Sequence, residues 1–212
     1  MGAGHHDGPL GSVYDAKAPE EVAALYDGWA ESYDADMASA GYRHPSIGLA
    51  LLARHAPRGA GHVLDAGCGT GLLGDWLGIL GFAPVDGLDL SEGMLAVARG
   101  KGAYAALHRL ALGGPLPFPD DHFAAVISTG VFTTGHVGAE GLPELVRIVR
   151  PGGVLVLTAK TTLWDGGFAA AVAGDRRLEI AERTAPYVSM PGEPGTIPSL
   201  AVVLRRRAGA PV

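Results

Sequence analysis

Apolar residues recur at helical spacing in the first part of the chain. Between residues 19 and 37 the apolar and aromatic side chains fall every three or four positions, which predicts a helix with one apolar face. A second helical pattern covers 46–55, and the glycine- and proline-rich stretch 56–61 ends it. Residues 19–60 are therefore expected to form a helical cap that precedes the main sheet.

After residue 60, short apolar runs alternate with helical patterns. Strands are predicted over 62–66, 84–90, 105–110, 124–128 and 154–159, and helices over 72–80, 92–101 and 143–149. Successive strand–helix units predict parallel strands with right-handed crossovers. Toward the C-terminus the pattern predicts a helix over 166–184 and two strands, 187–190 and 200–205, that pair as a hairpin.

Together these elements predict an α/β fold in one domain. We expect a Rossmann-like, doubly wound sheet that is mostly parallel, with a C-terminal antiparallel hairpin strand and an N-terminal helical cap. A chain of 212 residues without an internal repeat or a long linker fits a single domain. Residues 1–18 are expected to be a flexible arm, and 19–212 one domain with its core at 61–212.

Charge and composition narrow the possible partners. The formal net charge is -6, whereas surfaces that bind nucleic acid are basic, so we expect no nucleic-acid partner. No run approaches the roughly 18–20 apolar residues that span a bilayer, so we expect no membrane partner. Cys68 is the single cysteine, which suits a reduced thiol in a cytoplasmic protein. The histidines lack metal-site spacing, so no metal is expected, and the protein is expected to be a monomer or a homodimer.

A glycine series at the end of the first predicted strand carries the chemistry. In the run 63–71, Asp65 is followed by glycines at alternate positions, which lets a flat or charged ligand lie against the backbone. Asp89 ends the next strand, where a carboxylate can accept both hydroxyl hydrogens of a ribose. Leu90 and Met94 follow it and offer apolar surface to a base. These positions predict a nucleoside site at the carboxyl edge of the sheet.

The same region also contains a dinucleotide-binding pattern. Residues 69–74 have the G-x-G-x-x-G spacing of dehydrogenases that bind nicotinamide dinucleotides. Asp65 favours a different ligand, because a carboxylate there would repel a pyrophosphate. The tight turn predicted at 150–153 and the terminal hairpin also favour the nucleoside site over a dinucleotide site.

The motifs resemble those of a known family. Residues 63–71 look like the first motif of class I S-adenosylmethionine-dependent methyltransferases, and Asp89 resembles their ribose-binding acid. Residues 116–128 are similar to their fourth-strand region. The segment 25–45 resembles the methyltransferase-like branch named for the Williams-Beuren region. The resemblance covers about residues 20–160 and implies S-adenosylmethionine as cofactor, with S-adenosylhomocysteine as product, but does not identify the acceptor.

The motifs and the resemblance together suggest a set of cofactor contacts. The candidate cofactor-binding residues are Asp65, Gly67, Cys68, Gly69, Gly71, Asp89, Leu90, Met94, Leu112, Thr129, Tyr26, Tyr33 and Arg43. Many relatives carry an aspartate that meets the adenine amino group, but this chain has Leu112 and Gly113 in that neighbourhood. Adenine must then be recognised by backbone groups, by water or by another side chain.

Catalysis of methyl transfer depends mainly on positioning. Displacement at an activated sulfonium needs an aligned acceptor, and it needs a base only when the acceptor must lose a proton. The candidate catalytic residues are His136, as a base in the loop after the fourth strand, and Tyr33. Candidates for acceptor binding are Tyr42, His44, His136, Lys160 and Trp164. For each of them an ordinary packing or surface role is the alternative.

The predicted function is enzymatic transfer of a methyl group from S-adenosylmethionine to an oxygen, nitrogen or sulfur atom of a small molecule. Two alternatives stay open. An NAD(P)-dependent oxidoreductase would bind a nicotinamide dinucleotide instead of S-adenosylhomocysteine. A catalytically silent regulatory module would bind the cofactor and methylate no acceptor.

Overall fold

The computed structural model describes residues 18–133 and 137–209, together with Gly11. Its helices are α1 (Pro19–Trp29), α2 (Tyr33–Ser39), α3 (His44–His55), α4 (Gly74–Ile79), α5 (Glu92–Lys101), α6 (Leu142–Ile148), α7 (Thr161–Leu163) and α8 (Ala169–Gly174). Its strands are β1 (Val63–Ala66), β2 (Val85–Asp89), β3 (Ala106–Arg109), β4 (Phe123–Phe132), β5 (Val149–Lys160), β6 (Leu178–Arg183) and β7 (Ser199–Arg206). Most of the predicted arm at 1–18 lies outside the described residues.

Within these residues the strands form one sheet in the order β3-β2-β1-β4-β5-β7-β6. The strands β1 to β5 pair in parallel, and β7 runs antiparallel between β5 and β6. The central strands are buried on both faces because helices cover both sides, as in other doubly wound sheets. The predicted fold class is therefore confirmed. The order reverses at β1 and β4, where loops diverge and leave a crevice.

The N-terminal helices divide between two places. Leu51 and Leu52 of α3 pack with strand residues in the core on one face of the sheet. Gly48 allows this close approach, since a Cβ there would come 2.6 Å from the Thr129 side chain. By contrast, α1 and α2 lie over the carboxyl edge of the sheet.

The continuous helix predicted over 19–37 is wrong, because the chain turns between α1 and α2. The turn brings Trp29 and Met37 into one apolar cluster. It is braced by the Trp29 indole N–H, which donates to Asp36 over 2.6 Å. Packing of the cluster therefore overrides the regular spacing of apolar residues.

The prediction for the C-terminal region is also wrong in part. The helical segment ends at Gly174 instead of continuing to residue 184, and Leu178–Arg183 forms the edge strand β6. β6, and not 187–190, is the hairpin partner of β7; Tyr187 forms only an isolated bridge with Ser199. Leu, Glu, Ala and Arg in β6 favour a helix locally, but pairing with β7 decides its conformation. Charged side chains are also common on edge strands, where they discourage pairing with another chain.

Candidate functional site

A cavity lies beyond the carboxyl ends of β1, β2 and β4, under α1 and the start of α2, and we call it the main cavity because of its place at the edge of the sheet. Its volume is about 350 Å³, and most of its surface is apolar. This is the position at which open α/β sheets bind ligands, because the loops after neighbouring strands diverge there. The main cavity is therefore the first candidate for a cofactor site.

The loop after β1 forms one wall of the main cavity with bare backbone. Gly67 has a φ of +79°, and a Cβ at this position would come 2.2 Å from the Val131 side chain. The backbone N–H groups of Gly67 and Cys68 both donate to the Leu88 carbonyl, over 2.8 and 2.9 Å. Only glycine fits this position without strain, and Gly67 and Gly69 line the main cavity with no side chain between the backbone and a ligand.

Asp89 ends β2 beside this loop and lines the main cavity. Its two carboxylate oxygens accept backbone N–H groups, from Gly69 over 2.8 Å and from Ser91 over 2.9 Å. Burial raises the pKa of Asp89, and these backbone hydrogen bonds oppose that shift. Two carboxylate oxygens have about four acceptor sites, so the group can still accept hydroxyl donors from a ligand.

Part of the lining of the main cavity is apolar. It includes Leu90, Met94, Leu110, Ala111 and Leu112. A flat base can pack against these apolar side chains. They offer it no polar partner, so its polar edge would meet backbone groups or water there. That agrees with the absence of an aspartate near residue 112.

Two aspartates fasten the helices over the main cavity. Asp27 of α1 accepts the Ser91 hydroxyl and the Gly93 backbone N–H, the latter over 2.8 Å. The pKa of Asp27 lies below its usual value, first because of the Ser91 hydroxyl and next because of the Gly93 N–H. Asp34 of α2 accepts the Thr70 hydroxyl and the Lys101 ammonium. Helices α1 and α2 are thus anchored by hydrogen bonds to the loops that follow β1 and β2.

Replacing Asp27 by alanine should loosen α1 without unfolding the sheet. We expect amide hydrogen exchange in α1 to become roughly three- to tenfold faster, because hydrogen bonds to an ionised acceptor are lost while exposure limits their strength. Exchange in β1 and β4 should not change. Asp120→Ala is the matched control, since Asp120 is an exposed aspartate whose carboxylate pairs with Arg147 on α6 and not with α1 or the loop after β2. Equal exchange of α1 in the two variants would contradict this role of Asp27.

A smaller inner pocket, of about 30 Å³, adjoins the main cavity and shares Tyr26, Tyr33, Tyr42 and Gly130 with it. Gly130 leaves room for the Tyr42 hydroxyl, which would lie 2.0 Å from a Cβ there. The far wall of the inner pocket includes Lys160 at the end of β5. The two spaces can thus hold adjoining parts of a bound pair of ligands.

The polar groups of the inner pocket are buried. Burial lowers the pKa of Lys160 to about 8, and its ammonium donates to the Ile197 carbonyl over 3.1 Å. Burial, and next the Lys160 charge, lower the pKa of His44 to about 3. The neutral His44 ring has its Nδ1 atom 2.7 Å from the Tyr187 hydroxyl. Lys160 is therefore the charged group in this pair.

The structure brings most of the candidate cofactor residues together. Those that line the main cavity are Gly67, Gly69, Asp89, Leu90, Met94, Leu112, Thr129, Tyr26 and Tyr33. Of the candidate acceptor residues, Tyr42, His44 and Lys160 line the inner pocket. His136 lies outside the described residues, so its predicted role as a base stays a prediction.

Other candidates lie away from both spaces. Asp65 is buried and accepts the Tyr104 hydroxyl over 2.7 Å, and burial raises the pKa of Asp65 to about 7. Gly71 packs against Tyr104, and Cys68 is buried with a thiol whose pKa burial raises. Arg43 is exposed, and its guanidinium donates to the Val188 carbonyl.

Trp164 likewise lines neither space. It is buried in the core cluster around Phe168, with the Arg183 guanidinium 5.6 Å from its ring.

Sequence reasoning missed several residues at the site. Ser91 could have been found, because it is the N-cap of α5 and accepts the Met94 backbone N–H over 3.0 Å. Asp27 gave no such signal, since an aspartate on a helix surface is ordinary. Ser189 lines the inner pocket from a loop far along the chain, and only the tertiary fold reveals it.

Two kinds of feature are absent from the described residues, a metal-binding cluster and a membrane-spanning helix. Within 18–133 and 137–209, no three histidine, cysteine or acidic side chains are arranged to hold a metal ion. No helix in the described part of the chain has both the length and the apolar character needed to cross a bilayer.

Comparison with known proteins gives a consistent family. Residues 64–157 match the family model described as a methyltransferase domain. Human methyltransferase-like protein 27 is 40% identical over 141 residues, which cover 65% of this chain and 57% of that protein. Demethylmenaquinone methyltransferase of Symbiobacterium thermophilum is 36% identical over 153 residues, covering 66% of this chain and 61% of that protein. The chain thus matches about three-fifths of the length of these curated relatives.

Solved structures share the fold. A TehB-like S-adenosylmethionine-dependent methyltransferase from Corynebacterium glutamicum has a TM-score of 0.64 at 23% identity, covering 87% of this chain and 99% of that chain. The [4+2]-cyclase SpnF has a TM-score of 0.68 at 16% identity, covering 92% of this chain and 98% of that chain. At these identities the likeness shows the architecture alone, and the reaction must be argued from the site.

Proposed function

Because the chain belongs to the class I methyltransferases that use S-adenosylmethionine, we propose that it binds this cofactor in the main cavity and transfers its methyl group to a small molecule. The observation that carries the proposal is the pairing of Asp89 with a bare glycine loop at the edge of the sheet. The acceptor atom is oxygen, nitrogen or sulfur.

The residues of the main cavity fit the cofactor part by part. Asp89 accepts the two ribose hydroxyls while Gly69 and Ser91 hold its carboxylate in place. Leu90 and Met94 contact the adenine, whose edge meets backbone groups near Leu112. Gly67 and Gly69, which also line the main cavity, would adjoin the remaining, methionyl part of the cofactor.

When bound, S-adenosylmethionine supplies a methyl group on a positively charged sulfur that is already activated for displacement. The protein then has to hold the acceptor in line and to exclude water. Tyr26 and Tyr33 line the shared part of the two spaces, where aromatic faces stabilise a nearby cation. Tyr33 and His136 remain the proposed catalytic residues.

In this proposal, four of the candidate cofactor residues support the structure around the site and do not contact the cofactor themselves. Asp65 holds Tyr104 beside the glycine loop, and Gly71 gives that ring space. Cys68 fills a small buried position in the loop, and Arg43 fastens the start of α3 to the loop at Val188.

A small acceptor suits the site better than a macromolecule. The protein carries a net charge of -6, and a nucleic-acid substrate would meet no general electrostatic attraction. The names of two relatives mention demethylmenaquinone and malonyl-[acyl-carrier protein] as substrates, which is consistent with an acceptor presented as a small group. A cytoplasmic location and a monomeric or homodimeric state stay predictions from the sequence.

Thermal unfolding in the presence of ligands tests the proposal. S-adenosylhomocysteine should raise the melting temperature in a concentration-dependent way, because a ligand of the native state stabilises it by mass action. At 100 times the dissociation constant the stabilisation is about 2.7 kcal/mol. NADH and NADPH, at matched concentrations, should leave the melting temperature unchanged.

The opposite response would support the oxidoreductase alternative. Incubation with methyl-labelled S-adenosylmethionine and a metabolite extract then tests transfer itself. Labelled product supports the enzyme, whereas cofactor binding without any labelled product supports the regulatory module.

A further inference from the structure

The inner pocket has a positive charge and no negative one. Its lining contains Lys160 but no aspartate or glutamate among the described residues. No carboxylate in the described part of the chain lies within ion-pair distance of the Lys160 ammonium. A buried cation without a counter-charge is costly, so a group from outside the protein is the natural partner.

Lys160 also has spare hydrogen-bonding capacity. An ammonium group has three donors, and one of them is directed to the Ile197 carbonyl. The residue is 7% exposed, so bulk water solvates it poorly. A ligand oxygen in the inner pocket would satisfy donors that the fold leaves over.

A second polar group that lines the inner pocket, the Ser189 hydroxyl, has no hydrogen-bond partner among the described residues. The Ser189 hydroxyl oxygen is fully buried and forms no hydrogen bond within the described structure. Buried hydroxyl groups are normally hydrogen-bonded, and an exception calls for an explanation. Ser189 and Lys160 both line the inner pocket, so a ligand group in this pocket is the candidate partner for each.

We propose that the methyl acceptor carries an anionic oxygen, as a carboxylate or an ionised acidic hydroxyl, which enters the inner pocket and binds the Lys160 ammonium and the Ser189 hydroxyl. The proposal rests on the proposed function and names its substrate class. The pocket volume of about 30 Å³ suits a group of this size. A water molecule needs roughly 10–15 Å³ on the same measure, so the rest of the acceptor must lie in the main cavity.

The charges balance in this scheme. The sulfonium and the Lys160 ammonium are both positive, so an anion between them is attracted by each. An oxygen lone pair forms the new bond to the methyl carbon, the carbon–sulfur bond breaks, and its electron pair stays on sulfur. The anion becomes a neutral ester or ether if the binding oxygen is the one methylated. That product has lost its charge attraction to Lys160, which favours its release.

Matched pairs of charged and neutral probes test the proposal. Protein saturated with S-adenosylhomocysteine is titrated with benzoate against benzamide, and with 4-nitrophenolate against 4-nitroanisole, by calorimetry and ligand-detected NMR. We expect at least a tenfold preference for the anion in one pair. Preference in the benzoate pair identifies a carboxylate acceptor, and preference in the nitrophenolate pair identifies an acidic hydroxyl.

Variants then assign the preference to the inner pocket. Lys160→Met keeps the buried aliphatic stem and should abolish the preference, and Ser189→Ala should reduce it several-fold. Arg99→Met is the control, because Arg99 is an exposed cation that pairs with Glu92 on its own helix. The nitrophenolate absorbance adds a spectroscopic readout, since the ammonium favours the ionised probe in the wild type and not in Lys160→Met.

Three results would overturn the proposal: no anion preference in either pair, a preference that survives Lys160→Met, or an equal loss in Arg99→Met. The wild-type titration decides by itself if a variant does not fold. Stabilisation by S-adenosylhomocysteine is measured on every sample. Its absence from the wild type would count against the proposed function, whereas its presence without anion preference counts against this inference alone.

Discussion

Asp89→Ala is expected to weaken binding of S-adenosylhomocysteine at least tenfold, measured by calorimetry. Its carboxylate is the proposed acceptor for both ribose hydroxyls, and hydrogen bonds to a charged group contribute about 1.5–3 kcal/mol each. A tenfold loss corresponds to about 1.4 kcal/mol, so the expectation holds even if only one of these bonds is made. The substitution also frees the N–H groups of Gly69 and Ser91, which loosens the loop.

Asp86→Ala is the matched control on the same strand. Asp86 is buried and accepts the side chains of His62 and His108, but it does not line the main cavity. We expect it to lower the melting temperature and to leave the affinity of the folded protein for S-adenosylhomocysteine unchanged. Wild-type affinity in Asp89→Ala would remove Asp89 from the cofactor site.

Gly67→Ala is expected to destabilise the protein by about 2–4 kcal/mol. A side chain at a φ of +79° costs roughly 1–2 kcal/mol, and contact with Val131 at 2.2 Å adds an overpacking penalty of similar size. Val131 also lines the main cavity, so its displacement should weaken S-adenosylhomocysteine binding at least tenfold. Chemical denaturation and calorimetry measure the two effects.

Gly78→Ala provides the control for this substitution. Gly78 lies within α4, has no positive φ, and a Cβ there would meet nothing within 4 Å. Alanine at such a helical site should leave binding unchanged and stabilise the protein by roughly 0.5–1 kcal/mol. A Gly67→Ala variant that resembles Gly78→Ala in stability would contradict the role assigned to the glycine loop.

The parallel core could be predicted because its signals are local. The central strands are short, mostly apolar segments that end at turns, and the glycines after β1 mark a bend that few other residues can adopt. The motif placed Asp89 at the end of a strand, and the structure has it there. These features depend on short segments, and predicting them needs no information about contacts between distant parts of the chain.

The C-terminal hairpin could not be predicted in detail because its signals compete. Leu178, Glu179 and Glu182 are good helix formers, and their conformation is decided by the ladder with β7. Similarly, the turn between α1 and α2 is fixed by the burial of Trp29 and Met37. Contacts of this kind, between segments that are separate along the chain, cannot be predicted from a local sequence pattern.

The acceptor side could be predicted only as a set of candidates. Lys160 and His44 were found from their positions near predicted element ends, and the structure puts both in the inner pocket. Ser189 comes from a segment that carries no motif and reaches this pocket through tertiary packing, and Tyr187 of the same segment contacts His44. Arg43 and Trp164, by contrast, do not line it, and spacing along the sequence could not predict this because it does not specify the direction of a side chain.

A crystal structure of the protein with S-adenosylhomocysteine tests the central claim most directly. We predict the nucleoside in the main cavity, with both ribose hydroxyls within hydrogen-bond distance of the Asp89 carboxylate and the adenine between Met94 and Leu112. Ligand density at another surface, or a ribose with no contact to Asp89, would contradict the assignment of this cavity as the cofactor site.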